Sequence, residues 1–128
     1  MNRQFVSVID DEEDLVYFFR EALKQIKGID VFAFTSPELA LEHFMINQEF
    51  YQVVISDYRM PTMTGIEVLC KMKEMNQAVR RILISAFEIQ DDLRDCNCVD
   101  QFLKKPISMV FALIVSYYMT PNHKCLSL

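Results

Sequence analysis

The 128-residue chain contains no apolar run approaching the roughly 18 residues that a bilayer crossing needs, so no membrane span is expected. It also shows no secretion-signal core. The opening MNRQFVSVIDDEED turns acidic before one develops, and the expected location is the cytoplasm. Cysteine is sparse and never spaced C-x-x-C. Cys70, Cys96, Cys98 and Cys125 include one C-x-C, and the two histidines, His43 and His123, lie far apart. That pattern disfavours a zinc site and leaves reduced, mostly buried thiols as the expectation. A basic patch is missing too. The formal charge is −5, and Arg80-Arg81 and Lys104-Lys105 are only pairs, which argues against a nucleic-acid surface. No repeat, low-complexity tract or linker interrupts the chain before residue 120.

What is present is alternation. Phe5-Val6-Ser7-Val8-Ile9 reads as a strand, and residues 12–27 follow as a helix, with Leu15, Phe18, Phe19, Ala22, Leu23 and Ile26 at helical spacing and Gly28 as a stop. A strand over 29–34 leads to Ser36-Pro37-Glu38, an N-cap with Pro at the first helical position, opening a helix to about residue 48. A third strand covers 52–56. Thr64 then caps a helix to about 75, with Glu67 at capping-box spacing. Strands over 81–85 and 99–103 flank a short helix over 88–96, and Ser108 opens a last helix over 108–119. Five strand–helix units predict an α/β domain with a parallel sheet covered on both faces. The strand order expected is the flavodoxin-like 2-1-3-4-5, whose switch point lies between strands 1 and 3.

The polar residues that follow the strands share one edge of such a sheet. They are Asp10-Asp11 after strand 1, Asp57 after strand 3, Ser85-Ala86 after strand 4 and Lys104-Lys105-Pro106 after strand 5. Three carboxylates converging at the switch point repel one another, and a hard divalent cation resolves the conflict with oxygen ligands. A lysine ammonium and a serine hydroxyl at the same spot suit a phosphate-like group. Acids, metal, cation and hydroxyl together suit phosphoryl transfer, with a carboxylate as nucleophile.

These residues carry a resemblance. Asp10-Asp11, the segment Asp57-Tyr58-Arg59-Met60-Pro61-Thr62-Met63-Thr64-Gly65, Ser85-Ala86 and Lys105-Pro106 occur in the order found in receiver domains of two-component response regulators, the chemotaxis-regulator-like class. The chain resembles that family from about residue 4 to 119, so residues 1–120 are expected to form the receiver and 121–128 a tail. The resemblance implies a phosphorylation-controlled signalling domain rather than an enzyme, with self-catalysed phosphorylation and dephosphorylation. It implies that Asp57 accepts a phosphoryl group from a sensor histidine kinase or a phosphotransfer protein. Asp11, Asp57 and the backbone carbonyl of Arg59 would ligate Mg²⁺ (or Mn²⁺), and Asp10 would act through a metal-bound water. Lys105 would hold the phosphoryl oxygens, Ser85 would swing in to bond one of them, and Phe102 would be the switch aromatic. The Lys105–Pro106 bond is expected to be cis.

Departures from the pattern fall near the fourth helix. Ser stands at 85 where Thr is commoner, and the chain between Ser85 and Lys105 is about two residues short, with Cys96-Asn97-Cys98 before strand 5. A short or displaced fourth helix follows from that. The last helix, SMVFALIVSYYM, carries no charge and is expected to meet a homodimer partner or another domain, unless residues 120–128 fold over it. A receiver cut from a larger regulator or hybrid kinase is the nearest alternative. An aspartyl-nucleophile phosphatase wants an acid where Arg59 stands. A flavin carrier would have its phosphate repelled by the acids at 10–14.

Overall fold

A computed structural model describes residues 3–105, and the last helix, the Lys105–Pro106 bond and the tail lie outside them. Among these described residues five strands alternate with four α-helices: β1 (Phe5–Ile9), α1 (Glu13–Leu23), β2 (Asp30–Phe34), α2 (Pro37–Asn47), β3 (Tyr51–Asp57), α3 (Gly65–Met75), β4 (Arg80–Ser85), α4 (Gln90–Leu93) and β5 (Gln101–Lys104). All pairings are parallel and the order is β2-β1-β3-β4-β5, as expected.

Strand alternation divides the core in two. Ile9, Val54 and Leu83 face one layer with Phe44 of α2 and Val68, Leu69 and Met72 of α3. Val6, Val8, Val53, Ile55, Ile82 and Ile84 face the other, against Phe19 and Leu23 of α1. Both faces are covered, so the central strands read as unbroken apolar runs rather than as alternating ones. The cap residues act as their types predict. Ser36 Oγ accepts the Leu39 N–H at 3.3 Å, with Pro37 at the first helical position, and Thr64 Oγ1 accepts the Glu67 N–H at 3.2 Å.

Three elements differ from expectation by more than one residue. α1 ends at Leu23 rather than near 27, because the Gln25 and Ile26 N–H groups turn back to the carbonyls three residues earlier. Ile26 still packs on the core, and Gly28 ends the turn at φ +88°. α4 is four residues long, not nine or so, since the Cys96 N–H closes it on the Leu93 carbonyl. β5 starts at Gln101 rather than Val99, because Asp100 is used otherwise: its carboxylate accepts the Arg81 N–H at 2.8 Å and pairs with the Arg81 guanidinium at 3.4 Å. The thiol expectation is corrected as well. Cys70 on α3 and Cys98 before β5 form a disulfide, and Cys96 remains a half-buried thiol. α3 turns Cys70 toward the 96–98 turn, which brings the two backbones to a Cα–Cα distance of 4.9 Å.

Gly65 fixes how closely α3 approaches β3. Its N–H donates to the Tyr58 carbonyl at 2.8 Å. A Cβ there would overlap the Asp57 carbonyl oxygen and lie 2.7 Å from Leu83 Cδ1. Gly65→Ala is therefore expected to destabilise the fold by about 1–3 kcal/mol through forced backbone displacement. Denaturant titration measures this, and an unchanged midpoint would show that α3 can back away from β3 without loss.

Candidate phosphoacceptor and metal site

Asp57 is the last residue of β3, paired in register with Ile84, and the sheet releases the chain just after it: the Tyr58 N–H still donates to the Ile84 carbonyl at 2.8 Å. Asp10 follows β1, where its own N–H bonds the Phe34 carbonyl. Lys105 follows β5, with its N–H donating to the Ser85 carbonyl at 2.8 Å. Four strand ends thus converge, as the shared edge predicts.

The ammonium of Lys105 joins them. Its Nζ lies 3.0 Å from Asp10 Oδ2 and 3.0 Å from Asp57 Oδ1. Asp10 is fully buried and directs its other oxygen to the Glu12 N–H at 3.0 Å. Asp11 is exposed, yet the carboxylates of Asp10, Asp11 and Asp57 have ligand atoms within 4.8 Å of one another. A cleft of about 150 Å³ opens above them, lined by Asp11, Asp57, Arg59, Ser85 and Lys105. Ser85, 1% exposed, accepts the Phe87 N–H on Oγ at 3.0 Å.

Burial and then the charge of Asp10 raise the Asp57 carboxyl to about 6, although Lys105 opposes the rise. Burial works against the charged form of Lys105, but its bonds to Asp10 and Asp57 outweigh burial and hold its pKa above the usual value. The donor set fits a hard divalent cation. Asp10, Asp11 and Asp57 each offer a carboxylate oxygen, and three formal negative charges face one ammonium, leaving a balance that one divalent ion neutralises. Asp11 and Asp57 border the open cleft, whereas Asp10 lies beneath it.

Two side-chain contacts beside the site were not foreseen from sequence. The Arg59 guanidinium lies 4.2 Å from the centroid of the Phe87 ring, a cation–π contact across the cleft mouth. Each residue is two positions past a strand end, Arg59 after Asp57 and Phe87 after Ser85, and β3 and β4 are adjacent, so their register foretells the meeting. Tyr58 Oη donates to Asp92 of α4 at 2.8 Å. Phe102 is half-buried, opposite Leu83 and against the α2–α3 layer.

Residues 6–111 match the family described as the response regulator receiver domain. The chain belongs to that family. A receiver domain protein from Clostridium thermocellum superposes with a TM-score of 0.81 over 91% of this chain and 94% of its own, at 24% identity. The structure of a CheX-CheY-BeF3-Mg+2 complex from Borrelia burgdorferi aligns at a TM-score of 0.75, 24% identity, and 87% and 84% coverage. A cyclic di-GMP phosphodiesterase of Thermotoga maritima is 28% identical over 109 residues, which are 81% of this chain and 27% of that protein; this receiver therefore spans about a quarter of that relative.

The raised carboxyl has a signed consequence. With no divalent cation, folded Asp57 keeps a proton up to about pH 6, whereas the free side chain loses it near 3.8. The group's stabilising effect is complete below about pH 4 and is lost as pH rises through 6, a difference of about 2–3 kcal/mol. Chelated protein is expected to melt lower at pH 7.5 than at pH 5 through this group, with Mg²⁺ restoring stability mainly at pH 7.5. Asp57→Asn is expected to flatten both responses in differential scanning calorimetry. Equal Mg²⁺ stabilisation in that variant would reject Asp57 as a ligand.

Proposed function

We propose that this receiver is a Mg²⁺-dependent (or Mn²⁺-dependent) phosphoacceptor that works as a signalling switch, with Asp57 as the acceptor. The observation that carries this reading is the Lys105 ammonium bonded at once to Asp10 and Asp57 beside an open cleft. Asp11, Asp57 and the Arg59 carbonyl would hold the cation, with Asp10 acting through bound water. Once bound, the cation neutralises charge on the phosphoryl oxygens. A phosphohistidine of a sensor kinase or phosphotransfer protein is the expected donor, which agrees with a cytoplasmic location.

An ionised Asp57 oxygen attacks phosphorus, the phosphorus–nitrogen bond breaks, and the imidazole leaves with a proton from solvent. Lys105 is already in place to hold a phosphoryl oxygen. Ser85 must give up its Phe87 N–H bond, or share it, to reach another. Its movement would vacate space toward which Phe102 can turn. Because protonated Asp57 is not a nucleophile, labelling at subsaturating Mg²⁺ falls as pH drops through about 6.

The whole unit is read as residues 1–120 with a tail over 121–128, and the uncharged 108–119 segment as a surface for a second copy or a partner domain. The partial match to a cyclic di-GMP phosphodiesterase supports a second context, in which such a receiver governs an attached output domain.

A small phosphodonor such as acetyl phosphate tests the site. Wild-type protein is expected to take up one phosphoryl group only with Mg²⁺, and Asp57→Asn none, by intact mass. Persistent labelling of that variant would refute the assignment. Arg59→Ala removes the contact across the cleft mouth without altering the backbone carbonyl. It is expected to hasten dephosphorylation roughly 2–5-fold, equivalent to the ~0.5–1 kcal/mol of an exposed cation–π pair. A lifetime unchanged in quench-flow would show that the Arg59–Phe87 pair does not restrict water.

A further inference from the structure

Cys70, Cys96 and Cys98 gather at a place that phosphoryl chemistry does not use. Cys70 lies on α3, Cys98 is buried just before β5, and the two are bonded. Cys96 is a free, half-buried thiol whose sulfur accepts the Cys98 N–H at 3.4 Å. All three sulfurs lie within 4.8 Å of one another.

The turn that presents them is held from both sides. Arg81, 4% exposed, donates from Nε to the Cys98 carbonyl at 2.8 Å and from Nη1 to the Val79 carbonyl at 2.7 Å. Lys73 of α3 donates to the Asn97 carbonyl at 2.7 Å. These bonds do not involve the sulfurs, so they keep the three cysteines together whichever two are joined. Among the described residues no His, Asp or Glu joins the cluster, which leaves a structural zinc site one ligand short. A bonded pair with a third sulfur in reach is the arrangement that thiol–disulfide exchange needs.

We propose that Cys70, Cys96 and Cys98 form a thiol–disulfide exchange site whose oxidation fastens the turn between α4 and β5 to α3. The oxidant is a low-molecular-weight disulfide of the glutathione type. One protein thiolate attacks it, a small thiolate leaves, and the second protein thiolate attacks the mixed disulfide to expel the other. Two electrons pass to the small disulfide, and the two thiol protons of the protein end on the departing thiols. Within the cluster, the Cys96 thiolate attacks the Cys70 sulfur. A Cys96–Cys70 bond forms as the Cys70–Cys98 bond breaks, and Cys98 leaves as thiolate. In a reducing compartment such a bond persists only under oxidative load, so it reports a change of state. The same turn follows α4, whose Asp92 accepts the Tyr58 hydrogen bond beside Asp57. Oxidation therefore acts on the segment next to the phosphoacceptor loop.

The test uses the full chain, equilibrated at graded ratios of reduced and oxidised glutathione, quenched in acid, alkylated and peptide-mapped by mass spectrometry. A 70–98 linkage is expected to rise and fall reversibly with the ratio, and Cys98→Ser is expected to yield a 70–96 linkage instead. Hydrogen exchange over residues 91–99 is expected to slow at least about tenfold on oxidation, as local opening is suppressed. Cys125→Ser should leave all of this unchanged. Where the Cys98 variant does not fold, Cys70→Ser takes its place and must lose the oxidative slowing of exchange. No linkage at any ratio, linkage only through Cys125, unchanged exchange, or stoichiometric zinc protecting the three thiols from alkylation would each overturn the proposal. None of these readouts depends on phosphorylation.

Discussion

The Lys105 ammonium, shared between Asp10 and Asp57 at 3.0 Å each, is the interaction on which the site depends. A buried carboxylate such as Asp10 without a partner would cost several kcal/mol. The compensation comes from a strand adjacent to neither β1 nor β3: β4 lies between β5 and β3, and both β4 and β3 lie between β5 and β1. The Lys105 N–H bond to the Ser85 carbonyl sets the base of that reach, so the β4–β5 register and the charge balance of the cleft are one constraint. Lys105 offsets part of the effect of burial and of the Asp10 charge, yet the Asp57 carboxyl is still raised to about 6. A site left in that condition favours whatever brings further positive charge.

The parts of this design that were legible in the sequence are those set by period and position. Strands buried on both faces show as apolar runs, and the polar residues that follow each run mark the shared edge: Asp10 and Ser85 come first after theirs, whereas Asp57 and Lys105 come second, behind Ser56 and Lys104. Caps at Ser36 and Thr64 are local chemistry and are read locally. What stayed hidden depends on contacts between segments distant in sequence. The diversion of Asp100 to Arg81 shortens β5, and no propensity encodes it. The tight turns after Leu23 keep Ile26 on the core while ending a helix whose apolar spacing continues. The Cys70–Cys98 bond joins residues 28 apart, and spacing alone cannot pair cysteines. Gly65 was visible as part of a motif, but the reason for it, a helix packed against the Asp57 carbonyl, is tertiary.

The segment between β4 and β5 differs in kind from the rest. α4 has a single turn, too short to persist by its own backbone bonds. Its position is set by links at its edges. Ile89 enters the α2–α3 layer, Tyr58 reaches Asp92, Glu88 pairs with Lys104, Arg59 covers Phe87, and Cys96 and Cys98 close the far end. Most of these are exposed polar contacts, each of the order of ~0.5–1.5 kcal/mol.

That scale decides how a signal can travel. A segment held by one large apolar contact would ignore a change of a few kcal/mol at Asp57, because repacking a core costs more than that. A segment held by several weak and separable links is moved by a perturbation of comparable size. Two of those links, at Tyr58 and Arg59, start from the residues that immediately follow Asp57, the proposed acceptor. On the proposed reading, a phosphoryl group on Asp57 that drew in Ser85 would alter the Phe87 N–H bond directly, and with it the ring on which Arg59 rests. The covalent link through Cys70 belongs to the opposite end of the same segment and is the one link there that thermal motion does not open. The two proposed chemistries, at Asp57 and at the cysteines, would therefore bear on one short stretch of chain from its two ends, and the weakness of its remaining contacts is what would let either be felt.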